Sequence, residues 1–460
     1  MKTKIALILA IILVYSNVIL AQIEPKKGKN PLIIIPGIMG SKLVNKNTNE
    51  TVWVRFKDAK DDDLNLPISP DLGANKDDLV ATDIVENIKF VKFLPGISVY
   101  EDLLNYLEKK GGYQRGNWEI PSESGDTDTY YVFPYDWRRD NVETAHLLIQ
   151  KIEKLKAKLK RPDLKFDVLA HSMGGLITRY AAMYGMSDLR ERPNPTWAGA
   201  KHFGNIFMLG TPNEGSMEAL DALNNGSSIS IPLGGRYYPS FFSREVGFTM
   251  PALFQLLPHG EAARFYDGNL NLIDIDIYDS KNWKRYGWTL TADEEYMAKL
   301  SKAKRVQAEK YLDAVLLRAK RFHEALDVKA KVPESLSFYL FGSDCKTTLD
   351  GAVVFFDIEN GGWKTLTRGE GFKNVRGEKI SDKLVKQTIY AKGDGTVTLK
   401  SLLAETISEK NGQNLFAIKP YSSQQMIVCE MHSAIPGNKI IQESFSSILM
   451  NKINRNFIGN

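Results

Sequence analysis

A serine flanked by small residues is the strongest chemical signal in this chain. Ser172 lies within residues 170–174, Ala-His-Ser-Met-Gly, after a strand-like segment at 165–170 and before a helix-like segment at 174–182. On a sharp strand-to-helix turn the serine hydroxyl projects clear of the sheet, and small neighbours let backbone segments pass closely. The pattern predicts a nucleophilic serine. The alternative is a serine that only caps the following helix.

A serine hydroxyl is a weak nucleophile at neutral pH and needs a base within hydrogen-bond reach. In one large class of hydrolases the chain order is serine, acid, histidine, with the histidine after the last strand. His432 follows the last strand-like segment, at 425–428, and is the predicted base. The remaining histidines lie in helix-like segments, directly before the serine, before a strand or in an insertion: His146, His323, His171, His202 and His259.

The acid that orients this histidine should lie between Ser172 and His432, just after a strand. Asp394 follows the strand-like residues 387–390 and is flanked by Gly393 and Gly395, which let the loop turn its carboxylate inward. Asp344 meets the same criteria nearly as well, so the residues alone do not decide which of the two aspartates is the acid. An ordinary Asp-Gly turn is the plain alternative for Asp394.

Acyl transfer also requires hydrogen-bond donors for the oxyanion that develops on the substrate carbonyl. The backbone N–H of Met173, directly after the serine, is the first predicted donor. The glycine-rich turn at 36–40 follows the first strand, and the N–H of Ile38 within it is the second predicted donor. The alternative is that this segment is only a tight turn.

The elements that must position these groups alternate between short apolar strands and amphipathic helices. Strands are predicted at 32–35, 130–133, 165–170, 205–209, 335–341 and 425–428, and a helix at 142–160. Uniformly apolar short strands separated by helices are typical of a parallel sheet covered on both faces. We therefore expect an α/β fold with a mostly parallel central sheet.

Two insertions and an N-terminal segment complete the expected organisation. Residues 1–21 resemble a secretory signal peptide, which predicts export to a secreted, periplasmic or lumenal location. An uncleaved membrane anchor is the alternative. The core is expected to span 22–212 and 335–460, with an insertion at 41–98. A second insertion, 213–334, carries aromatic residues and a helix expected from about 291 to 326, and it suits a cap or lid. A fixed structural elaboration is the alternative.

Composition narrows the class of protein. The formal net charge of +5 falls by two when Lys2 and Lys4 leave with the signal peptide. The remaining charge is small for a chain of this length and gives no reason to expect nucleic-acid binding.

The only cysteines are Cys345 and Cys429, and in an exported chain they are candidates for a disulfide. Two free thiols are the alternative.

Four motifs occur in order along the chain, at 34–43, 134–138, 170–175 and 393–397, and are followed by His432 as the base. Together they resemble the lecithin:cholesterol acyltransferase family. The resemblance implies an α/β-hydrolase core with a membrane-contacting subdomain, here 41–98, and a cap with a lid. It favours Asp394 over Asp344, and the segment 134–138 is expected to brace the sheet beside the site. The candidates that it implies for lipid contact or the lid are Trp53, Tyr237, Tyr238, Phe241 and Phe242.

These residues predict a serine-dependent lipid acyl hydrolase or O-acyltransferase acting on glycerolipid or phospholipid esters. Its partners would be a lipid or membrane surface as substrate and water, a sterol or another alcohol as acyl acceptor, and the reaction needs no metal or organic cofactor. A triacylglycerol lipase or carboxylesterase with the same three residues is the first alternative. A non-catalytic lipid-binding protein on a hydrolase fold is the second.

Overall fold

The computed structural model describes residues 28–54, 61–88, 97–121, 127–226, 242–411, 415–416 and 424–455. Its strands form one central sheet and several small accessory sheets. In chain order they are β1 (Leu32–Ile35), β2 (Ser41–Asn45), β3 (Thr51–Trp53), β4 (Leu79–Ile84), β5 (Asn87–Ile88), β6 (Ile97–Ser98), β7 (Gln114–Arg115), β8 (Thr129–Val132), β9 (Phe166–His171), β10 (Phe203–Leu209), β11 (Arg264–Tyr266), β12 (Leu272–Ile273), β13 (Ser337–Ser343), β14 (Lys346–Leu349), β15 (Gly351–Asp357), β16 (Gly362–Leu366), β17 (Phe372–Lys373), β18 (Lys379–Ile380), β19 (Tyr390–Gly393) and β20 (Gln425–Val428).

The α-helices connect the strands of the central sheet and build much of the second insertion. In chain order they are α1 (Glu101–Lys109), α2 (Asn141–Leu159), α3 (Met173–Tyr184), α4 (Met217–Asn225), α5 (Arg244–Phe248), α6 (Pro251–Phe254), α7 (Ser280–Tyr286), α8 (Glu294–Ala298), α9 (Lys302–Asp327), α10 (Asp382–Ile389), α11 (Leu399–Leu403), α12 (Glu405–Asn411) and α13 (Lys439–Arg455).

Within the described residues the central sheet has seven strands in the order β20-β13-β10-β9-β1-β8-β7. Each neighbouring pair is parallel; Leu32 of β1, for example, pairs with Tyr130 of β8 on one side and Asp167 of β9 on the other. Parallel neighbours require crossover connections, and helices supply most of them here. The sheet confirms the predicted α/β fold.

Alternate residues of β1 enter two separate hydrophobic cores. Ile33 and Ile35 pack in the core that contains the apolar faces of α2 and α3. Leu32 and Ile34 pack in the second core, with the apolar faces of α1 and α13. Side chains alternate between the two faces of a strand, so a strand covered by helices on both sides must be apolar throughout.

The insertions are built around smaller sheets. In the first, β2 pairs with β3 and β4 in an antiparallel sheet. In the second, β11 pairs with β15, which comes after β13. Strands β12, β11, β15 and β16 therefore form one accessory sheet that joins the 213–334 insertion to residues 351–366. The 213–334 insertion thus shares a sheet with β15 and β16, which follow β13 in the chain.

Two local predictions were wrong. The helix expected over 291–326 is two helices, α8 and α9, because the side chain of Asp293 caps the first and that of Ser301 caps the second. Residues 387–389, expected as a strand, end the helix α10, which Ser381 caps and which buries Val385 and Ile389 one turn apart. Only the short β19 then leads to the Asp394 loop.

Cys345 and Cys429 form a disulfide across 84 residues of sequence. Cys345 lies between β13 and β14, and Cys429 directly follows β20. No helix in the described part of the chain is long and apolar enough to cross a membrane. The signal-peptide segment, 1–21, lies outside the described residues.

Candidate active site

Ser172 stands on a sharp turn between β9 and α3 with backbone angles φ 52° and ψ −125°. A positive φ is unfavourable for a residue with a side chain and persists only where the surroundings enforce it. Here the Ser172 N–H donates to the carbonyl of Leu209, 2.8 Å away in the next strand. The tight passage also requires Gly174, since a Cβ there would lie 2.7 Å from the backbone oxygen of Ile35.

The structure brings Ser172, His432 and Asp394 together from three distant segments. Nε2 of His432 lies 2.9 Å from Oγ of Ser172. Nδ1 of His432 lies 2.7 Å from Oδ2 of Asp394. If Nδ1 carries the proton donated to Asp394, Nε2 is free to accept the serine proton. This geometry is that of a nucleophile, a base and an orienting acid.

Asp394 is 2% exposed, and both of its oxygens are used. While Oδ2 binds His432, Oδ1 accepts the N–H groups of Thr396 at 2.9 Å and Val397 at 2.7 Å. Burial acts to raise the pKa of Asp394, but His432 and these hydrogen bonds outweigh burial and lower the pKa below its ordinary value. The carboxylate therefore remains ionised beside the imidazole.

Asp344, the rival acid, lies elsewhere. It follows β13 and is half-buried beside Cys345, while Asp394 occupies the position at Nδ1 of His432. Thr396 supports the Asp394 carboxylate through its backbone N–H.

The turn at 36–40 passes directly over the serine. A Cβ on Gly37 would lie 2.8 Å from Cβ of Ser172 and 3.4 Å from its Oγ. Ile38, the predicted second oxyanion donor, is the next residue and is half-buried. Met173, the predicted first donor, is the first residue of α3, so its N–H has no acceptor within the helix. Both predicted donors thus belong to the segments that meet at Ser172.

The segment 134–138, expected to brace the sheet beside the site, contacts both ends of this turn. The hydroxyl of Tyr135 donates to the carbonyl of Pro36 at 2.8 Å. The indole N–H of Trp137 donates to the carbonyl of Ser41 at 3.1 Å. Both rings are buried, so the two hydrogen bonds hold the turn at its two ends.

Sequence reasoning missed two further groups beside the site. His171 was set aside as a base, and its Nε2 lies 3.0 Å from the backbone carbonyl oxygen of His432 rather than near Ser172. Its Nδ1 lies 2.8 Å from the hydroxyl of Tyr100, which also accepts the N–H of Gly37 at 2.9 Å. Tyr100 lies 72 positions before Ser172 in the chain, and no local pattern links the two residues.

Trp53, a candidate for lipid contact, and Phe242, a candidate for the lid, are both buried in this structure. Trp53 is 3% exposed, packs edge-on against Trp137 and donates its indole N–H to the carbonyl of Met39. Phe242 is also 3% exposed and belongs to the main hydrophobic core. Both side chains are buried because their rings fill the core beneath the insertions. The other lid candidates, Tyr237, Tyr238 and Phe241, lie outside the described residues.

Comparison with known proteins agrees with this fold. The model of the lecithin:cholesterol acyltransferase family matches residues 93–317. No curated protein matches the sequence. The chain is similar to a structure described as the crystal structure of the Tle4–Tli4 complex, at 14% identity and a TM-score of 0.55, over 93% of this chain and 98% of that chain. It is also similar to Bacillus licheniformis lipase BlEst2 in its mature form, at 12% identity and a TM-score of 0.34, over 93% of this chain and 94% of that chain.

The similarity to the first of these structures extends over nearly the whole length of both chains and supports the α/β-hydrolase fold. The family match covers the serine turn, the helices that follow it and much of the second insertion. The chain thus has an α/β-hydrolase fold and matches the lecithin:cholesterol acyltransferase family model over just under half of its length, and this match supports a lipid acyl hydrolase or acyltransferase.

Proposed function

We propose that Ser172, His432 and Asp394 are the catalytic triad of an exported enzyme that cleaves a glycerolipid or phospholipid ester through an acyl-enzyme. The observation that carries the proposal is the pair of short contacts at His432, 2.9 Å to the serine hydroxyl and 2.7 Å to the aspartate. The family supports an ester of a lipid as substrate.

In the first half-reaction, Oγ of Ser172 attacks the ester carbonyl carbon while Nε2 of His432 takes the hydroxyl proton. The negative charge that develops on the carbonyl oxygen is stabilised by the N–H groups of Met173 and Ile38. The tetrahedral intermediate collapses, the bond to the lipid alcohol breaks, and that alcohol leaves with the proton held by His432. The acyl group remains on Ser172.

In the second half-reaction, water or an alcohol attacks the acyl-enzyme and His432 takes its proton. Collapse returns that proton to Ser172 and releases a free fatty acid or a new ester. Asp394 stabilises the imidazolium in both halves, and its lowered pKa supports this role because the carboxylate stays charged. In both halves, the groups that move protons and stabilise charge are side-chain and backbone groups of this chain.

Export is the second part of the proposal. Residues 1–21 have the basic start, apolar centre and small final residue of a signal peptide. The disulfide between Cys345 and Cys429 supports an oxidising location, since such bonds persist mainly outside the cytosol. N-terminal sequencing of the natural protein should give Gln22 as the first residue; a retained Met1 would contradict export by cleavage.

The test of the reaction is product analysis on mixed phospholipid and neutral-lipid vesicles, with and without a sterol or long-chain alcohol, for the wild type and Ser172→Ala. Serine-dependent release of free fatty acid alone would identify a hydrolase. A serine-dependent new ester would identify an acyltransferase. Release from triacylglycerol but not from phospholipid would favour the simpler lipase.

A non-catalytic lipid-binding protein would give no serine-dependent product. A fluorophosphonate probe tests this directly, because it labels an activated serine without any need to know the lipid. We expect labelling of the wild type and none of Ser172→Ala. Equal labelling of both proteins would contradict the assignment of the nucleophile.

A further inference from the structure

His171 and Tyr100 form a buried connection between the two halves of the active site. Tyr100 is 1% exposed and His171 is 6% exposed. On one side the Tyr100 oxygen accepts the N–H of Gly37 in the turn over Ser172. On the other side His171 reaches the backbone carbonyl of His432. Neither residue contacts the Ser172 hydroxyl through a hydrogen bond among the described contacts.

The chemistry of the partners fixes the direction of every hydrogen bond in this connection. A carbonyl oxygen only accepts, so Nε2 of His171 must carry a hydrogen and donate it to His432. In an uncharged imidazole with Nε2 protonated, Nδ1 is an acceptor, so the Tyr100 hydroxyl donates to it at 2.8 Å. The Tyr100 oxygen then accepts from Gly37. The chain of bonds runs in one direction, from Gly37 through Tyr100 and His171 to His432.

Both ends of the connection lie at groups that the proposed reaction uses. Gly37 directly precedes Ile38, the proposed oxyanion donor. At the other end, two hydrogen bonds fix the backbone of His432. Its N–H donates to the carbonyl of Asp394 at 2.9 Å, and its carbonyl accepts from His171. The connection therefore sets where the oxyanion turn lies relative to the base.

We infer that Tyr100 and His171 are positioning residues that act as one unit, holding the Gly37–Ile38 peptide and the His432 backbone in register for acyl transfer. The inference deepens the proposed function and rests on it. The uncharged state of His171 matters, because its ring centroid is 4.9 Å from that of His432, where a second positive charge would oppose formation of the imidazolium. Burial, the largest cause, together with the adjacent His432, lowers the pKa of His171 to about 3, so it stays neutral throughout turnover.

The test uses substitutions that keep one half of the connection at a time. In His171→Gln, the side-chain amide can reach the place of Nε2 and donate to His432, but no acceptor remains for Tyr100. In His171→Asn, the amide oxygen takes the place of Nδ1 and accepts from Tyr100, but the donor to His432 is lost. Tyr100→Phe removes a single hydroxyl. Tyr311→Phe is the matched control, since Tyr311 is also fully buried and its hydroxyl has no hydrogen-bond partner among the described residues.

Hydrolysis of a short, soluble ester gives the kinetic readout, with thermal unfolding measured in parallel. We expect Tyr100→Phe to lower kcat by roughly 10-fold or more with little change in KM, since a displaced oxyanion donor acts in the transition state. The same substitution should cost less in the His171→Gln background, where the Tyr100 hydroxyl keeps only its bond from Gly37, than in the His171→Asn background, where the amide oxygen also accepts from it. Equal costs in both backgrounds, or a cost no larger than that of Tyr311→Phe, would overturn the inference.

A second readout does not depend on activity. In protein labelled with nitrogen-15 at histidine, the signals that disappear in His171→Gln are those of His171. We expect them to show a neutral ring protonated at Nε2 from pH 5 to 8, with the Nδ1 signal moved towards that of an unbonded nitrogen by Tyr100→Phe. A ring protonated at Nδ1 would overturn the connection even in an active enzyme. If the wild type hydrolysed no ester, the proposed function would fail, and these signals would still decide whether the connection exists.

Discussion

Cys345 and Cys429 covalently join the two segments that present the proposed acid and base. Cys429 lies three residues before His432. Cys345 precedes β14, which pairs antiparallel with β19, the strand that ends next to Asp394. The disulfide therefore fixes the start of the His432 loop to the antiparallel β14–β19 pair, which leads into Asp394. Its position links fold stability to the alignment of the acid and the base.

Replacing both cysteines should therefore reduce stability and activity together. For the Cys345→Ala/Cys429→Ala variant we expect the free energy of unfolding to fall by about 2–4 kcal/mol, because the unfolded chain is no longer closed into a long loop. Denaturant unfolding of the wild type and the variant measures this. Reduction of the wild type should reproduce the loss, and an unchanged midpoint under reducing conditions would contradict it.

The two candidate acids should respond very differently to the same chemical change. Asp394→Asn keeps the size of the side chain but removes the charge that stabilises the imidazolium, so we expect kcat to fall by about 10³–10⁴-fold. Asp344→Asn is the matched control and should remain within about 2-fold of the wild type. Ester hydrolysis and the rate of fluorophosphonate labelling check both. A large loss in Asp344→Asn with none in Asp394→Asn would reverse the assignment.

The sharp turn at Ser172 and the strands of the central sheet could be predicted from the sequence because their signals are local. The strand, the turn and the helix around Ser172 are contiguous, and an apolar strand such as Leu32–Ile35 must be buried on both faces. His432 could be found from chain order alone. The choice of Asp394 over Asp344 needed the family resemblance, because both residues directly follow a strand and their distances from His432 are properties of the fold.

The burial of Trp53 and the connection through Tyr100 and His171 could not be predicted, because they depend on contacts between distant segments. Trp53 is an aromatic residue in an insertion, which suggests exposure, but its indole packs on Trp137 and binds the turn over the site. The connection through Tyr100 and His171 needs residues from separate strands and helices to meet. Residues 387–389 are a case where a signal was available, since the Ser381 cap and the four-residue spacing of Val385 and Ile389 indicate a helix.

The turn over the serine tolerates no added side chain at its closest point. A Cβ on Gly37 would lie 2.8 Å from Cβ of Ser172, so Gly37→Ala must displace either the turn or the serine. We expect kcat to fall by about 10-fold or more, since small misplacements of reacting groups are costly. In the matched control, Gly362→Ala, the new Cβ has no atom within 4 Å and activity should be unchanged. Wild-type kinetics for Gly37→Ala would show that the turn is looser than the structure describes.

Glu214 lies in the loop between β10 and α4, and its carboxyl is buried. This carboxyl should make the free energy of unfolding depend on pH. One oxygen accepts from the Thr406 hydroxyl and the Ile407 N–H, and the other has no hydrogen-bond partner among the described residues. Burial is the largest cause of its shift and raises the pKa from 4.5 to about 7, although these hydrogen bonds and the nearby His259 oppose the rise. The folded state therefore binds this proton more tightly than the unfolded chain does.

This difference in proton binding sets the direction in which the stability of the folded state changes with pH. The stabilising contribution of the protonated carboxyl is fully present below pH 4.5 and is lost as the pH rises through about 7. Glu214→Gln removes this dependence, so its stability relative to the wild type should increase by up to about 3 kcal/mol between pH 4.5 and pH 8. Denaturant unfolding at both pH values measures the change, and Glu409→Gln, an exposed position in α12, should show none. A constant difference between Glu214→Gln and the wild type across this range would mean that Glu214 is ionised in the folded protein throughout, with the buried charge compensated by its surroundings.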